Sequence, residues 1–373
     1  MKTKLLSLAA SILLALTATQ AAAGEPAPVG ASIQQNGSNN SSELTQSNGD
    51  LLGLDSVQNG SGNSSVITQT GGGSNGVGVL QIGSDNIFSG SQEGGNNVHA
   101  GAYQNGDDNR SKIIQLGGWN SVVETLQDGG GNNAKVTQDR SDQSIIRSEQ
   151  GLGNNDFTGY QMWGTEHIMI SLQTRAWNEA SLVQSQGVGS YTYSQQDGEG
   201  NVVEVLQDQD YGGSRVVSQQ SDFNSARIDQ YNPDKNSVLN LQLGDYNKAI
   251  LEQWQGNSNT IENRQFGDSN EIVVEQRGQS NVIDTKQSGG SNRGLVIQSG
   301  DSSNVRINQS GEFNESDILQ DSGSVSNVAS VTQSGIGLIG AVNQATISQY
   351  GSNDMATIMQ SGGSGNMATI TQN

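Results

Sequence analysis

The sequence predicts an all-β fold: a β-solenoid of about fifteen strand-turn-strand rungs, with two stacked sheets of parallel in-register strands. Three observations predict it. Glutamine recurs from Gln35 to Gln276 with alternating gaps of 11 and 12 residues. Many of these glutamines open a Gln-x-Gly-x-x-Asn turn, and apolar or small residues alternate with mixed ones ahead of them.

One glutamine series runs Gln35, Gln58, Gln81, Gln104, Gln127, Gln150, Gln173, Gln196, Gln219, Gln242 and Gln265. The other runs Gln46, Gln69, Gln92, Gln115, Gln138, Gln161, Gln184, Gln207, Gln230, Gln253 and Gln276, and each keeps a spacing of 23 without a miss. A side chain that returns at this period stacks on its own kind only if the backbone returns to the same place about 4.8 Å further along an axis. Two glutamines per period mean two strands per rung. Their amides are placed to hydrogen-bond from rung to rung, as Gln and Asn ladders do in cross-β structures.

Taken in order, Lys2 and Lys4 precede an apolar run from Leu5 to Leu16, and Ala21-Ala22-Ala23 supplies small residues before Gly24. This reads as a secretory signal peptide over residues 1–23, its apolar part too short to span a bilayer. Residues 24–32 hold Pro26 and Pro28 and lack the repeat, so they read as a leader or export segment. The solenoid then occupies 33–373 as one domain, a rod of roughly 70 Å at the usual strand spacing.

The turns carry their own logic. Gln-x-Gly-x-x-Asn places Gly37 and Asn40, Gly60 and Asn63, Gly106 and Asn109, Gly244 and Asn247, and Gly267 and Asn270 at equivalent positions. Gly takes positive φ without steric cost and Asn tolerates left-handed backbone, so these residues read as strand reversals. Between turns, Ala134 and Val136 precede Gln138, Val203 and Val205 precede Gln207, and Ile272 and Val274 precede Gln276. Period-two alternation marks strands with one buried face. Arg215 interrupts that stripe, and a shift of register that lets Gln220 replace Gln219 would remove the conflict. Beyond Gln276 the gaps become 11, through Gln287, Gln298, Gln309 and Gln320. Residues 321–348 read as an irregular insertion before Gln349, Gln360 and Gln372 restore the rhythm.

Composition narrows the function. With 50 Gly, 32% hydrophobic residues and a mean hydropathy of -0.54, the chain would read as disordered without its period. With no Cys, neither a disulfide framework nor a thiolate metal site is available. Loss of Lys2 and Lys4 takes the formal charge from -20 to -22, because residues 1–23 contain no acid. Nucleic acid needs a basic footprint, so it is excluded as a partner, and no later stretch is apolar enough for membrane insertion. His99 and His167 lie on different rungs with no base-orienting pattern, and each reads as a surface or strand-face residue. Trp119, Trp163, Trp177 and Trp254 are scattered. No enzyme, cofactor or metal site is expected.

The turn motif, the glutamine spacing and strand ends such as Ser65 to Gln69 and Met367 to Gln372 together resemble curlin repeats, the units of curli fibre subunits. The resemblance spans nearly all of the chain after the leader. It implies a secreted functional amyloid, exported through an outer-membrane channel with accessory factors and a nucleator subunit. Such a subunit polymerises at the cell surface as a fimbrial fibre of the biofilm matrix and supports adhesion. The residues lead to polymerisation independently, because a solenoid end without a cap offers unpaired backbone groups to another copy. The assembly residues are then the ladder glutamines above together with Gln360 and Gln372. Turn carboxylates such as Asp107, Asp108 and Asp245 read either as ordinary turn chemistry or as gatekeepers that slow premature assembly. The alternatives are a minor, nucleating subunit, or a monomeric solenoid that binds a repetitive surface such as ice or polysaccharide. The last requires one regular outward ladder, whereas outward residues vary from Glu43 to Lys135 to Val183.

Overall fold

The computed structural model describes residues 30–373 except 211, 322, 324 and 339. The signal peptide at 1–23 and residues 24–29 of the leader lie outside the described residues. The first strand, Gly30–Ser38, begins three residues ahead of the expected Ile33, so the repeat takes in the end of the leader segment.

Every described regular element is a β-strand, and the chain makes about fifteen turns of a β-solenoid. It divides into two compact units, one ending at Trp177 and the other beginning at Asn178. In each unit odd-numbered strands pair only with odd and even with even, all parallel, giving two stacked sheets that the chain visits alternately.

Register follows the period. Gln35 pairs with Gln58 and Gln58 with Gln81 in one sheet, and Gln46 pairs with Gln69 in the other. In the second unit the repeat shortens to 22 where Gln265 pairs with Gln287 and Gln276 with Gln298. Because a strand's side chains alternate faces, positions four, two and zero residues before the closing glutamine point inward together. Ser65, Ile67 and Gln69 are buried in this way, as are Ala249, Leu251 and Gln253, and Ile261, Asn263 and Gln265.

The core is thin, and neighbouring positions trade volume. Phe88 and Phe157 are the largest buried side chains, and each is followed two residues later by glycine. A Cβ at Gly90 would lie 2.7 Å from the Phe88 ring, and one at Gly159 would lie 2.7 Å from Phe157 and 3.2 Å from the Met169 sulfur. The rings occupy the space that a side chain on the next inward position would fill.

The register does move near Arg215. Gln196 pairs with Gln220, which then pairs with Gln242, and Gln219 stands opposite Leu241 outside the ladder. The extra residue is taken up in the turn before Arg215, where the buried Asp210 carboxylate accepts from Ser190 Oγ at 2.6 Å, Ser214 N at 2.6 Å and Gly212 N at 3.1 Å. Arg215 faces outward over the Tyr191 ring, 5.6 Å from its centroid.

The irregular stretch keeps its strands. Asn314–Gln320, Val328–Ile336 and Asn343–Gln349 pair in register with their neighbours, and the added residues fall between them, within 321–327 and 337–342. Leu338 and Ala341, in the second of these, form an antiparallel bridge. Gln333, hidden in the sequence by a changed spacing, continues the ladder from Gln309 to Gln360.

Candidate assembly surface

The inward glutamines form two amide ladders within each unit. Both run unbroken through the first; in the second, one of them is interrupted between Gln196 and Gln220, where Gln220 Oε1 has no hydrogen-bond partner among the described residues, before the ladder resumes from Gln220 to Gln242 at 2.6 Å. Gln35 Nε2 donates to Gln58 Oε1 at 2.7 Å, Gln58 to Gln81 at 2.8 Å, Gln81 to Gln104 at 2.8 Å and Gln104 to Gln127 at 2.9 Å. The other sheet runs Gln46 to Gln69 at 3.2 Å, Gln69 to Gln92 and Gln92 to Gln115 at 2.7 Å, and Gln115 to Gln138 at 3.0 Å. The second unit repeats this from Gln242 to Gln265 at 2.9 Å, from Gln253 to Gln276 at 2.9 Å, from Gln333 to Gln360 at 2.8 Å and from Gln349 to Gln372 at 2.9 Å.

Each amide has a second N–H, and many spend it across the interior. Gln58 donates to Ser41 O at 2.9 Å, Gln104 to Ile87 O at 3.1 Å and Gln265 to Lys248 O at 3.1 Å. One side chain therefore ties its rung to the next and its sheet to the opposite strand. All of these donations point the same way: the axial N–H faces the C-terminal neighbour and Oε1 faces the N-terminal one. The ladder has a direction.

The turn asparagines are a third buried column, a role that their reading as strand reversals missed. Asn63 N and Nδ2 both donate to Asn40 Oδ1, at 3.1 and 3.2 Å, and Asn63 Nδ2 also donates to Gly83 O at 2.9 Å. Asn109 repeats this with Asn86, and Asn270 with Asn247. Asn63, Asn109, Asn247 and Asn270 are almost wholly buried. The residue ahead of each carries the left-handed backbone, at Gly62, Asp108, Tyr246 and Ser269, with φ between 57° and 69°. The glycine of the motif is fixed by crowding as well as by φ. At Gly60, φ is 128° and a Cβ would lie 1.9 Å from the Gly83 carbonyl oxygen of the next rung. Gly37, Gly106, Gly244 and Gly267 make the same approach.

Two edges carry no strand partner among the described residues. One is formed by Gly30–Ser38 and Ser41–Ser47, the other by Met355–Ser361 and Met367–Gln372. Gln35 is exposed there and Gln46, Gln360 and Gln372 are half-buried, whereas the ladder glutamines between the ends are buried. At the first edge the free ladder group is an acceptor, Oε1 of Gln35 and of Gln46. At the last it is the axial N–H of Gln360 and of Gln372, whose other N–H groups already serve Gln344 O at 2.8 Å and Met355 O at 3.1 Å. Core residues match as well: Ala356, Ile358 and Gln360 correspond to Ala31, Ile33 and Gln35, and Ala368, Ile370 and Gln372 to Ser42, Leu44 and Gln46. Charge is nearly absent from these four strands, Glu43 being the sole ionisable side chain.

Elsewhere the titratable groups are structural. Burial raises the Asp229 carboxyl against the opposing pull of Arg227, 2.7 Å away, and burial together with Glu315 raises Asp317. Burial lowers the His99 imidazole, whose ring meets Asn97 at 3.1 Å. His167 is buried in a turn column and not on the surface, while Trp119 and Trp177 are exposed between strands and Trp163 is exposed near the end of the strand Asp156–Thr165. Trp254 stacks on Tyr231 with centroids 4.3 Å apart. Among the described residues no group of His, Cys, Asp and Glu is arranged to hold a metal ion.

A family model described as the curlin associated repeat matches residues 278–311 and 340–373. The C-terminal part of the chain carries curlin repeats. Both matched stretches end on rungs of the ladder just described, and the added residues within 321–327 fall between them. The rungs N-terminal to residue 278 share the geometry of the matched curlin repeats, with the same stacked glutamine, turn glycine and asparagine. No curated protein matches the chain.

Proposed function

We propose that this chain is a secreted structural subunit that self-assembles head-to-tail into extracellular curli-like amyloid fibres, which form biofilm matrix and support adhesion. The observation that carries the reading is the complementarity of the two open edges. Acceptors at Gln35 and Gln46 answer donors at Gln360 and Gln372, over core positions of matching size. Stacking the last pair of strands of one copy on the first pair of another continues both ladders in register. It also gives Asn366 Oδ1 the Asn40 amide of the next copy, as Asn343 Oδ1 receives Asn366. Such a contact is heterologous and does not close, so it yields an unbranched filament.

The signal peptide, export through a channel with accessory factors, and a nucleating partner belong to the same proposal, on the strength of the curlin repeats and the N-terminal sequence. The role is mechanical and not catalytic. A growth assay on the chain lacking residues 1–23 tests it. Soluble protein should become fibrous after a lag, the lag should vanish on addition of sheared fibres, and Gln372→Ala should slow elongation more than Thr371→Ala does. A fully β-folded chain that stays monomeric with seeds present contradicts the proposal and favours a solenoid that binds an external lattice.

A further inference from the structure

We infer that Asn36-Gly37 is a site of spontaneous deamidation, and that its reaction closes the first edge to stacking. The inference rests on the head-to-tail reading for its consequence, though not for the chemistry.

Asn-Gly is the sequence most prone to cyclisation, because glycine leaves its backbone nitrogen unhindered. Five such pairs occur, at Asn36, Asn48, Asn59, Asn75 and Asn105. Attack requires a free glycine N–H and an asparagine side chain able to turn back on the main chain. The turn glycines of later rungs fail the first condition: Gly106 N donates to Ile82 O and Gly267 N to Leu243 O, both at 2.9 Å, in each case on the preceding rung. Gly76 N is likewise held by Val98 O at 3.0 Å, and Asn75 is buried. Gly37 pairs with Gly60 and has no described rung on its N-terminal side, so its N–H points off the open edge. Asn36 and Gly37 are both exposed, and the Asn36 side chain is held only at its distal amide, by Asn59 Oδ1 at 3.3 Å. Asn48-Gly49 also lies near the first edge, but in a turn outside the ladder.

The step balances without any partner but water. The Gly37 nitrogen forms a bond to Asn36 Cγ and gives up its proton, and the side-chain nitrogen leaves as ammonia. Water then opens the resulting succinimide at either carbonyl. One product is aspartate in an unchanged main chain. The other is isoaspartate, which inserts a methylene into the backbone that must lie in register on the last strands of another copy. Either product also puts a carboxylate at a junction whose neighbouring positions are uncharged. Once a copy has stacked, the Gly37 N–H gains a carbonyl partner and the reaction stops, so only unoccupied edges age.

The chain carries its own control, because Gln35-Asn36-Gly37-Ser38 and Gln58-Asn59-Gly60-Ser61 are identical in sequence and differ only in rung. The test incubates soluble folded protein, urea-unfolded protein and fibres in mild alkali, then reads deamidation at both sites by peptide mass spectrometry after cleavage at Glu43. Asn36 should react faster than Asn59 by about tenfold or more in the folded soluble chain, equally with Asn59 in urea, and at the slow Asn59 rate within fibres. Equal rates at the two sites in the folded chain would overturn the assignment. In parallel, aged wild-type monomer should lose most of its seeded growth while equally aged Asn36→Ser keeps it. If both lose growth alike, the closing role fails although the site stands. If fresh wild type never grows on seeds, the head-to-tail reading fails instead, and the mass-spectrometric arm still decides the chemistry.

Discussion

Gln58 and Gln81 stand on neighbouring rungs, 23 residues apart in sequence, with the Gln58 amide donating to the Gln81 carbonyl at 2.8 Å while its other N–H reaches Ser41 O at 2.9 Å. Both are buried, so both donors of this amide have replaced water with protein. A satisfied bond of this kind contributes little net, but a buried group left without a partner is costly.

Gln81→Ala leaves the Gln58 N–H facing an empty position and removes the donor from Ser64 O and Asn86 O. The expected loss is about 2–4 kcal/mol of unfolding free energy, read by denaturant titration of soluble protein. Outward Thr68→Ala on a nearby rung should cost less than about 0.5 kcal/mol.

Glycines at positive φ separate into two kinds. Gly60→Ala meets the Gly83 carbonyl at 1.9 Å and should cost more than about 3 kcal/mol, with the turn forced open. Gly94 also has positive φ, 67°, yet a Cβ there has nothing within 4 Å, so Gly94→Ala should cost only the left-handed backbone term of about 1 kcal/mol. Thermal unfolding of the two variants side by side checks this.

The Phe88 and Gly90 pair should show coupled energetics. Gly90→Ala alone overpacks against the ring and is expected to cost about 1–3 kcal/mol. In the Phe88→Leu background the same change should cost clearly less, so a double-mutant cycle gives a coupling of about 1 kcal/mol or more.

Asp317 gives the second unit a pH dependence of defined sign. Its carboxyl is raised by burial and by Glu315, and its Oδ1 lacks a hydrogen-bond partner. The folded state therefore holds this proton more tightly than the unfolded chain does. The contribution to stability is full below the ordinary aspartate value and is lost as pH rises through the raised one. Asp317→Asn should raise the urea midpoint at neutral pH, and should shrink the change that wild type shows between neutral pH and about pH 5.

How far these features could be read in advance depended on whether the period survived. Gln35 to Gln276 announced rungs, sheets and register because strands and turns kept constant length. Gln333 escaped because added residues between strands moved it to 24 residues after Gln309 and 27 before Gln360. The choice between Gln219 and Gln220 needed the turn around Asp210, whose carboxylate takes the part an asparagine plays elsewhere. Asn63 and its equivalents announced a turn, but their burial and mutual bonding follow from the stacking of turns upon turns, which residue type alone does not reveal. The pairing of Phe88 with Gly90 is a matter of volume between neighbouring inward positions, and a hydrophobic pattern carries no volumes.

The most direct measurement is a register-specific cross-link between copies. Stacking Gln372 on Gln46 sets Thr371 beside Thr45, both outward and exposed, at the separation of neighbouring strands, about 4.8 Å, within the span of a disulfide. The chain has no cysteine of its own. Oxidised fibres of the Thr45→Cys, Thr371→Cys double variant should run as a covalent ladder on non-reducing gels, while the offset pair Thr45→Cys, Thr369→Cys should stay monomeric. Equal cross-linking of both pairs, or fibres in which only the offset pair links, would contradict the account.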